Sequence, residues 1–385
     1  MDLALSEEQA LIQDTARKFS AAELAPVAAS LDSGDGREKY LGNLKQMAEL
    51  GLMGINVSDD YGGTDAGVVS FSLAITEIAR GCSATAVSMS VTNLVAEVIQ
   101  SIGTDEQKAQ YIPSLCDGTY PAGSFCLSEA GAGSDPSSVQ TRAVKDGDEW
   151  VINGTKMWIS SAEFAGVFVV WAVTDPQAPK GKGITCFLVE RDTPGLTVGP
   201  AEKKLGQRAS PTNPVIFEDC RVPASAILGE LNDGFRIAVA ELTGGRIGIG
   251  SLALGVASAA MDYASQYITE RQQFDTKISD FQGIQWMLAD TYTELEAARL
   301  LLMNAAYLKE NDLPFAKQAS MAKLYATEAA NRACYTAIQL MGGLGYTEEV
   351  PLERYARDVR VTSIYEGTSE IQRVIIAREI LKEIA

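Results

Sequence analysis

The chain has 385 residues, 46% hydrophobic and 21% charged, with a formal net charge of −18, a balance that excludes disorder, collagen and small disulfide scaffolds and suggests two or three domains. The acidity argues against nucleic acid and anionic membrane as partners. Histidine is absent, which excludes Ser-His-Asp and Cys-His centres and imidazole metal sites and leaves proton transfer to Glu, Asp, Lys, Tyr or Cys.

From the N-terminus, Met1-Asp2-Leu3-Ala4-Leu5 lacks a basic n-region and an apolar h-region, so the expectation is a cytoplasmic protein without a secretory signal. Ser6 and Gln9 form a capping-box pattern, and Leu11, Thr15 and Phe19 recur at helical spacing. Pro26 stops that helix or starts the next segment. A Gly/Asp-rich break at 32–36 precedes Leu44, Met47, Ala48 and Gly51, a second helix ending on glycine. Residues 59–63 form a loop, 68–80 and 84–102 resemble buried helices, and 104–111 is a short capped helix followed by Pro113. Cys82, Cys116, Cys126, Cys186, Cys220 and Cys334 contain no CxxC and read as small buried hydrophobes, so neither zinc nor a disulfide framework is expected. With no run of ~18 apolar residues, no membrane span is expected.

The texture changes near 120. Trp150-Val151-Ile152 meets Asn153-Gly154, a hairpin-turn signal, and 167–174, 184–190 and 215–217 are β-branched and aromatic between Gly/Pro/Asp turns. This stretch reads as an antiparallel β domain. After 232 the helices are long: Ile284, Met287, Leu288, Thr291, Leu295, Ala298 and Leu302 keep one stripe, 315–340 is a second such segment, and together they suggest a bundle. Helix and strand patterns in separate blocks mean an α+β multidomain chain.

Four segments could carry chemistry. In 125–135, Gly131, Gly133, Ser128 and Ser134 suit a phosphate or a polar ring edge, or a plain surface turn; the pattern is not GxGxxG before a helix. Trp158, flanked by Ile159, Ser160 and Ser161, suits stacking on an aromatic ring, or is an ordinary strand tryptophan. Gly244-Gly245-Arg246 and Arg271-Gln272-Gln273-Phe274 offer arginines for phosphate, or solvated helix charges. In 364–373, Thr368 is an N-cap for a terminal helix whose stripe is Ile371, Ile375 and Leu381. Glu366, just before that cap, is a candidate general base or a carboxylate stabilised by the helix dipole.

Together with Leu5-Ser6-Glu7-Glu8-Gln9, Gln339 to Tyr346 and Arg357-Asp358, these segments resemble the acyl-CoA dehydrogenase family over nearly the whole chain. The resemblance implies an N-terminal helical domain (1–118), a middle antiparallel β-barrel or sandwich domain (119–230) and a C-terminal four-helix bundle (231–385). It implies FAD, an acyl-CoA substrate of short to medium length, an electron-transferring flavoprotein as acceptor, a homotetramer and a place in fatty acid β-oxidation. Glu366 matches the family's base, which removes the α-proton while a hydride leaves the β-carbon for flavin N5. Phe125, Leu127, Ser128, Gly133, Ser134, Trp158, Ile159 and Ser160 match positions around the flavin and pyrophosphate. Arg271, Phe274 and Gln282 match positions reaching a neighbouring subunit's FAD, Gln339, Gly342 and Gly343 match another segment at the ADP moiety, and Thr368 and Glu370 flank the cofactor. Ser134, Thr243, Arg246 and Gly367 match substrate positions. Phe281 and Thr243 depart from the His and Asp common in relatives, and Gly245 stands where some branches carry their base. Branched or alicyclic substrates, an oxidase using O2 and a silent CoA- or flavin-binding scaffold are the alternatives.

Overall fold

In a computed structural model describing residues 4–385, the chain opens with helices α1 (Glu7–Phe19), α2 (Ala28–Ser33), α3 (Arg37–Glu49), α4 (Gly67–Gly81), α5 (Ser83–Ile102) and α6 (Asp105–Cys116). The N-terminal reading at Met1, Asp2 and Leu3 lies outside the described residues. The capping box is present: Ser6 Oγ accepts from the Gln9 N–H at 3.1 Å, and Gln9 Oε1 accepts from the Ser6 N–H at 3.0 Å. Thr104 and Gln107 repeat the arrangement at α6. Pro113 does not end that helix as expected. It lies inside α6, where burial of Ile112, Leu115 and Cys116 outweighs one missing N–H. Pro26 sits in a 3-10 turn, Ala25–Val27, after a π-helical turn at Ser20–Leu24.

The strands are β1 (Ala122–Cys126), β2 (Arg142–Asp146), β3 (Glu149–Ser160), β4 (Ala165–Val173), β5 (Ile184–Glu190), β6 (Leu196–Val198), β7 (Thr212–Pro223) and β8 (Ile227–Leu228). They form one sheet in the order β6-β7-β3-β2-β4-β5-β8, with β1 added on β4. The α+β layout of helical, β and helical regions is as expected; within the β region the sheet is mixed and open rather than an antiparallel barrel, since β1 and β2 both run parallel to β4, and β6 and β8 end the path without pairing to each other. Both faces of β4 are covered. Val167, Val169 and Trp171 join one cluster, and Phe168, Val170 and Ala172 join another, giving the continuous apolar run of a doubly buried strand.

Asn153-Gly154 is not a turn. β3 passes through the pair with a register shift, while Asn153 exchanges hydrogen bonds of 2.8 and 3.1 Å with Asp219 on β7. The β2–β3 hairpin instead closes around Gly147, two residues earlier than β3's first pairing with β7. Gly154 is required by crowding: a β-carbon there would lie 2.5 Å from Thr141 Oγ1.

The C-terminal region contains α7 (Gly234–Glu270), the small hairpin β9 (Gln272–Gln273) and β10 (Thr276–Lys277), α8 (Gln282–Glu310), α9 (Ala316–Met341), α10 (Leu352–Val359) and α11 (Ser369–Ile384). α7 is long and apolar enough to cross a membrane, contrary to the expectation of no such run, but 78% of its most apolar window is buried inside the fold. One apolar core runs without a break from Ala16 and Phe71 through α7 to Leu302 and Ala330, so the N- and C-terminal helices stabilise each other. All six cysteines are buried and unbonded, as expected. On α11, the expected apolar stripe is not a core stripe: Leu381 is exposed, and Ser369 and Gln372 are the buried residues.

Buried polar links tie the regions together. Tyr40 Oη lies 2.6 Å from Ser88 Oγ and donates to the Ala84 carbonyl at 3.0 Å, and Ser88 Oγ continues to Ser161 Oγ at 2.8 Å. This chain runs from α3 through α5 to the end of β3. Tyr40→Phe removes the hydroxyl that joins α3 to Ser88 and the Ala84 carbonyl while Ser88 keeps Ser161, so it should cost about 0.5–1.5 kcal/mol, read as a lower thermal unfolding midpoint; an unchanged midpoint contradicts the link's structural role.

Candidate active site

Between α10 and α11 the chain makes a tight turn in which Glu366 (φ 51°) and Gly367 (φ 90°) both occupy the left-handed region. That conformation is natural for glycine and strained for glutamate. Three side chains hold it. Gln372 Nε2 donates to the carbonyls of Glu366 (3.3 Å) and Gly367 (2.9 Å), and Lys323 Nζ donates to the Gly367 carbonyl at 2.9 Å. Thr368 Oγ1 accepts from the Ile371 N–H at 3.3 Å, the expected N-cap of α11. None of these bonds uses the Glu366 N–H.

The Glu366 carboxylate packs on Gly245 of α7, where a β-carbon would overlap Oε2. Oε2 is sealed from solvent and has no hydrogen-bond partner among the described residues. Burial pushes its pKa up to about 7, opposed by the positive charges of Lys323 and Arg246. Burial in turn lowers Arg246 to about 10 and Lys323 to about 8, each held up by Glu366. Arg246 is not a surface charge. It is buried, its Nη1 lies 3.2 Å from Ser320 Oγ and 3.5 Å from Thr243 Oγ1, and its Nε is unpartnered.

A second group gathers at the ends of β1 and β3. Trp158 (φ 59°) and Ser161 (φ 61°) are both left-handed and kink the end of β3, leaving the Trp158 indole 51% exposed while Ile159 stays buried. The Ser160 carbonyl accepts from Ser124 Oγ at 2.8 Å, and the Ser128 carbonyl accepts from the Met157 N–H at 2.9 Å, so 124–128 and 157–160 form one surface. Leu127 is buried and Phe125 packs on Trp171, ring centroids 4.3 Å apart. Below them, fully buried Lys156 donates to the Leu127 carbonyl (3.2 Å) and to Glu129 Oε1 (2.7 Å). Burial works against the Glu129 charge, but Lys156 outweighs it and holds Glu129 below its usual pKa. Gly133 and Ser134 are exposed, and a β-carbon at Gly131 or Gly133 would meet nothing within 4 Å, so protein packing alone does not require those glycines.

The loop at 204–211 touches both groups. The Ser161 N–H donates to the Pro211 carbonyl at 2.9 Å, and Gln207 Nε2 donates to Tyr365 Oη at 3.2 Å, next to Glu366. Gln207 (φ 49°) also gives its N–H to buried Asp358 at 2.5 Å. The remaining expected residues lie elsewhere. Arg271, Phe274 and Gln282 are exposed in and after the α7–α8 connection, with Phe274 91% exposed, and Gln339, Gly342 and Gly343 are exposed at the end of α9. Glu370 is exposed in the first turn of α11.

Lys323, Gln372, Gln207 and the Lys156–Glu129 pair escape the sequence reading as site residues. Only Lys323 leaves a trace: it falls at helical spacing among Ala319, Ala322 and Ala326, on a face that periodicity makes buried.

Comparison with known proteins assigns this arrangement. The N-terminal, middle and C-terminal domains of acyl-CoA dehydrogenase match residues 6–119, 124–220 and 232–381. The chain belongs to the acyl-CoA dehydrogenase family, and it is a FAD-dependent oxidoreductase. It is 46% identical over 382 residues to the mitochondrial short-chain specific acyl-CoA dehydrogenase of Rattus norvegicus, covering 98% of this chain and 91% of that protein. It superposes on butyryl-CoA dehydrogenase from Megasphaera elsdenii with a TM-score of 0.94 at 37% identity, covering 99% and 100% of the two chains. A chain from the structure of the electron transferring flavoprotein of Acidaminococcus fermentans gives 0.96 at 39% identity, covering 99% and 100%. The expected cytoplasmic location is overturned: the rat relative and its mouse and bovine counterparts are mitochondrial.

The residues fit a flavin and a thioester. The kinked Trp158 offers a flat apolar face, and Glu366 Oε2, Arg246 Nε and Gln372 Oε1 are buried polar atoms still lacking partners. Trp158→Ala should weaken retention of FAD by removing that face, read as flavin lost on gel filtration. Lys156→Met should cost about 3–5 kcal/mol by leaving Glu129 buried and unpaired, read from the thermal midpoint; a midpoint equal to the parent's contradicts the buried pair's role.

Proposed function

We propose that the protein oxidises a short acyl-CoA to its trans-2-enoyl-CoA with Glu366 as the base, and passes the electrons to an electron-transferring flavoprotein. The observation that carries this is the half-buried Glu366: its Oε2 is sealed from solvent and unpartnered, its pKa is near neutral, and it is pressed on a glycine. A thioester α-proton is weakly acidic, so its removal needs a base of raised pKa and a stabilised enolate oxygen. Glu366 Oε2 takes the α-proton, and the α C–H pair becomes the new double bond as a hydride leaves the β-carbon. The unused Glu366 N–H is available to the thioester oxygen. FAD, when bound, supplies the acceptor for that hydride. Phe125, Leu127, Ser128, Gly133, Ser134, Trp158, Ile159, Ser160, Thr368 and Glu370 would hold it, and Ser134, Thr243, Arg246 and Gly367 would hold the substrate.

Packing around the base supports a short acyl tail. One turn along α7 from Gly245, a β-carbon on Gly248 would lie 2.7 Å from Ser90 Oγ and 3.2 Å from Phe71, so α4, α5 and α7 are already in close contact there. The likeness to a short-chain specific enzyme and to butyryl-CoA dehydrogenase agrees, and the likeness to a chain from the electron transferring flavoprotein structure supports that acceptor. The exposure of Arg271, Phe274 and Gln282 supports their reaching the FAD of a neighbouring copy in a homotetramer, and that of Gln339, Gly342 and Gly343 supports a contact with the ADP moiety of FAD. The matched ranges likewise support domains at 1–118, 119–230 and 231–385.

Glu366→Gln keeps the shape and loses the base, so flavin bleaching by butyryl-CoA should slow by at least about 10²–10⁴-fold with FAD content unchanged; bleaching within roughly tenfold of the parent rate contradicts the assignment. Among thioesters from propionyl to palmitoyl, with isobutyryl and cyclohexanecarbonyl included, a short one should bleach the flavin fastest, and palmitoyl as the best substrate contradicts the short pocket. Because the base must be ionised, the parent's bleaching rate should fall as pH drops through about 7, the raised pKa of Glu366, and a rate flat down to pH ~5 contradicts it.

A further inference from the structure

Lys323 is fully buried in the middle of α9, among Ala319, Ala322, Ala326 and Thr327. A buried ammonium is costly unless it is paired and hydrogen-bonded. Among the described residues its Nζ donates to the Gly367 carbonyl at 2.9 Å and forms no salt bridge. A lysine whose role was only to fill the core could be a methionine. This one instead directs its charge at the turn that presents Glu366.

We propose that Lys323 is the positioning residue of the catalytic base: its ammonium clamps the left-handed Glu366–Gly367 turn through the Gly367 carbonyl, and its charge keeps the Glu366 carboxylate ionised inside a dry site. The proposal rests on Glu366 being the base.

The geometry gives Lys323 two separable tasks. The first is mechanical. Glu366 and Gly367 are consecutive left-handed residues, and the Gly367 carbonyl is where the turn is gripped, by Lys323 from α9 and by Gln372 Nε2 from α11, each at 2.9 Å. The second is electrostatic. The groups facing Glu366 are Arg246 from α7, Lys323 from α9 and Tyr365 beside it, while Glu328 on α9 and Glu370 on α11 face Lys323. Arg246 is already committed to Ser320, and its Nε remains for a ligand. Glu328 accepts from Ser369 Oγ at 2.5 Å rather than from Lys323, and Glu370 is exposed. Of the two cations beside Glu366, Lys323 is the one that also holds its backbone.

The sign follows from that arrangement. Removing the positive charge leaves Arg246 alone to oppose burial, so the Glu366 pKa rises and the pH at which the base becomes ionised moves up. A residue that only filled space would change rate or stability and leave that pH in place.

The test compares the parent, Lys323→Met, Lys323→Gln and Lys323→Arg as FAD-loaded enzymes, following flavin bleaching by saturating butyryl-CoA across pH. In both neutral variants the acid limb should move up by about one pH unit. At about pH 9, with the base ionised, Lys323→Gln should recover to within roughly threefold of the parent because its amide still grips Gly367, while Lys323→Met stays roughly tenfold or more below. Lys323→Arg should keep the parent's limb. Should neither neutral variant retain FAD, an arginine variant that retains it and keeps the limb supports the charge. An unmoved limb in the neutral variants, an arginine limb that moves with theirs, or loss of all three proteins overturns the proposal. Glu366→Gln runs alongside: if it bleaches at the parent rate, the base assignment has failed, whatever Lys323 does.

Discussion

A carboxylate with one oxygen sealed from water beside two cations, on a turn it does not favour, is the constraint around which the rest of the molecule is arranged. Gly245 leaves room for Glu366 Oε2 where a β-carbon would clash, and Gln372 and Lys323 fix the carbonyls on either side of the left-handed Gly367. The strain and the missing partner at Oε2 keep a proton acceptor ready for a substrate.

The same economy of buried charge appears on the β side. Lys156 and Glu129 lie under the 124–128 segment as Lys323 lies under the 366–367 turn, each pinning a backbone carbonyl that belongs to the site. The loop at 204–211 connects the two halves through Pro211 and Gln207, and Asp358 anchors it by accepting from the Gln207 N–H and from Ser83 Oγ at 2.7 Å. The site therefore belongs to no single region. Moving the sheet relative to the helices would break Ser161 from Ser88 and open the apolar cluster that joins Val95 and Val98 of α5 to Val167 and Trp171 of β4.

Much of this was legible in the residues. Periodicity marks α8 and α9, small apolar composition marks α4 and α5, the capping boxes at Ser6 and Thr104 mark helix starts, and Thr368 caps α11 as its position suggests. The failures have local physical causes. Asn153-Gly154 looks like a hairpin turn, but Asn153 finds its partners on Asp219 across the sheet, and the glycine answers to Thr141. Pro113 looks like a stop, but the burial around it keeps α6 intact. The parallel pairing of β1 with β4 has no short-range signature at all. At the site, motif order gave Glu366 and Trp158, while the residues that position them are lone polar side chains at buried places, which a single sequence does not separate from surface ones. Nothing in the sequence announces that Trp158, Ser161 and Glu366 are left-handed, because strain of that kind is imposed by tertiary packing.

The most direct test of this account is a titration of the Glu366 carboxyl itself in the FAD-loaded enzyme, by infrared difference spectroscopy, with the band assigned by its loss in Glu366→Gln. The account predicts a carboxyl that loses its proton near pH 7, raised by burial and restrained by Lys323 and Arg246. A band that titrates at or below the ordinary glutamate value of 4.5 would mean that Glu366 is solvated in the working enzyme and would contradict the claim that a dry, cation-flanked carboxylate drives the chemistry.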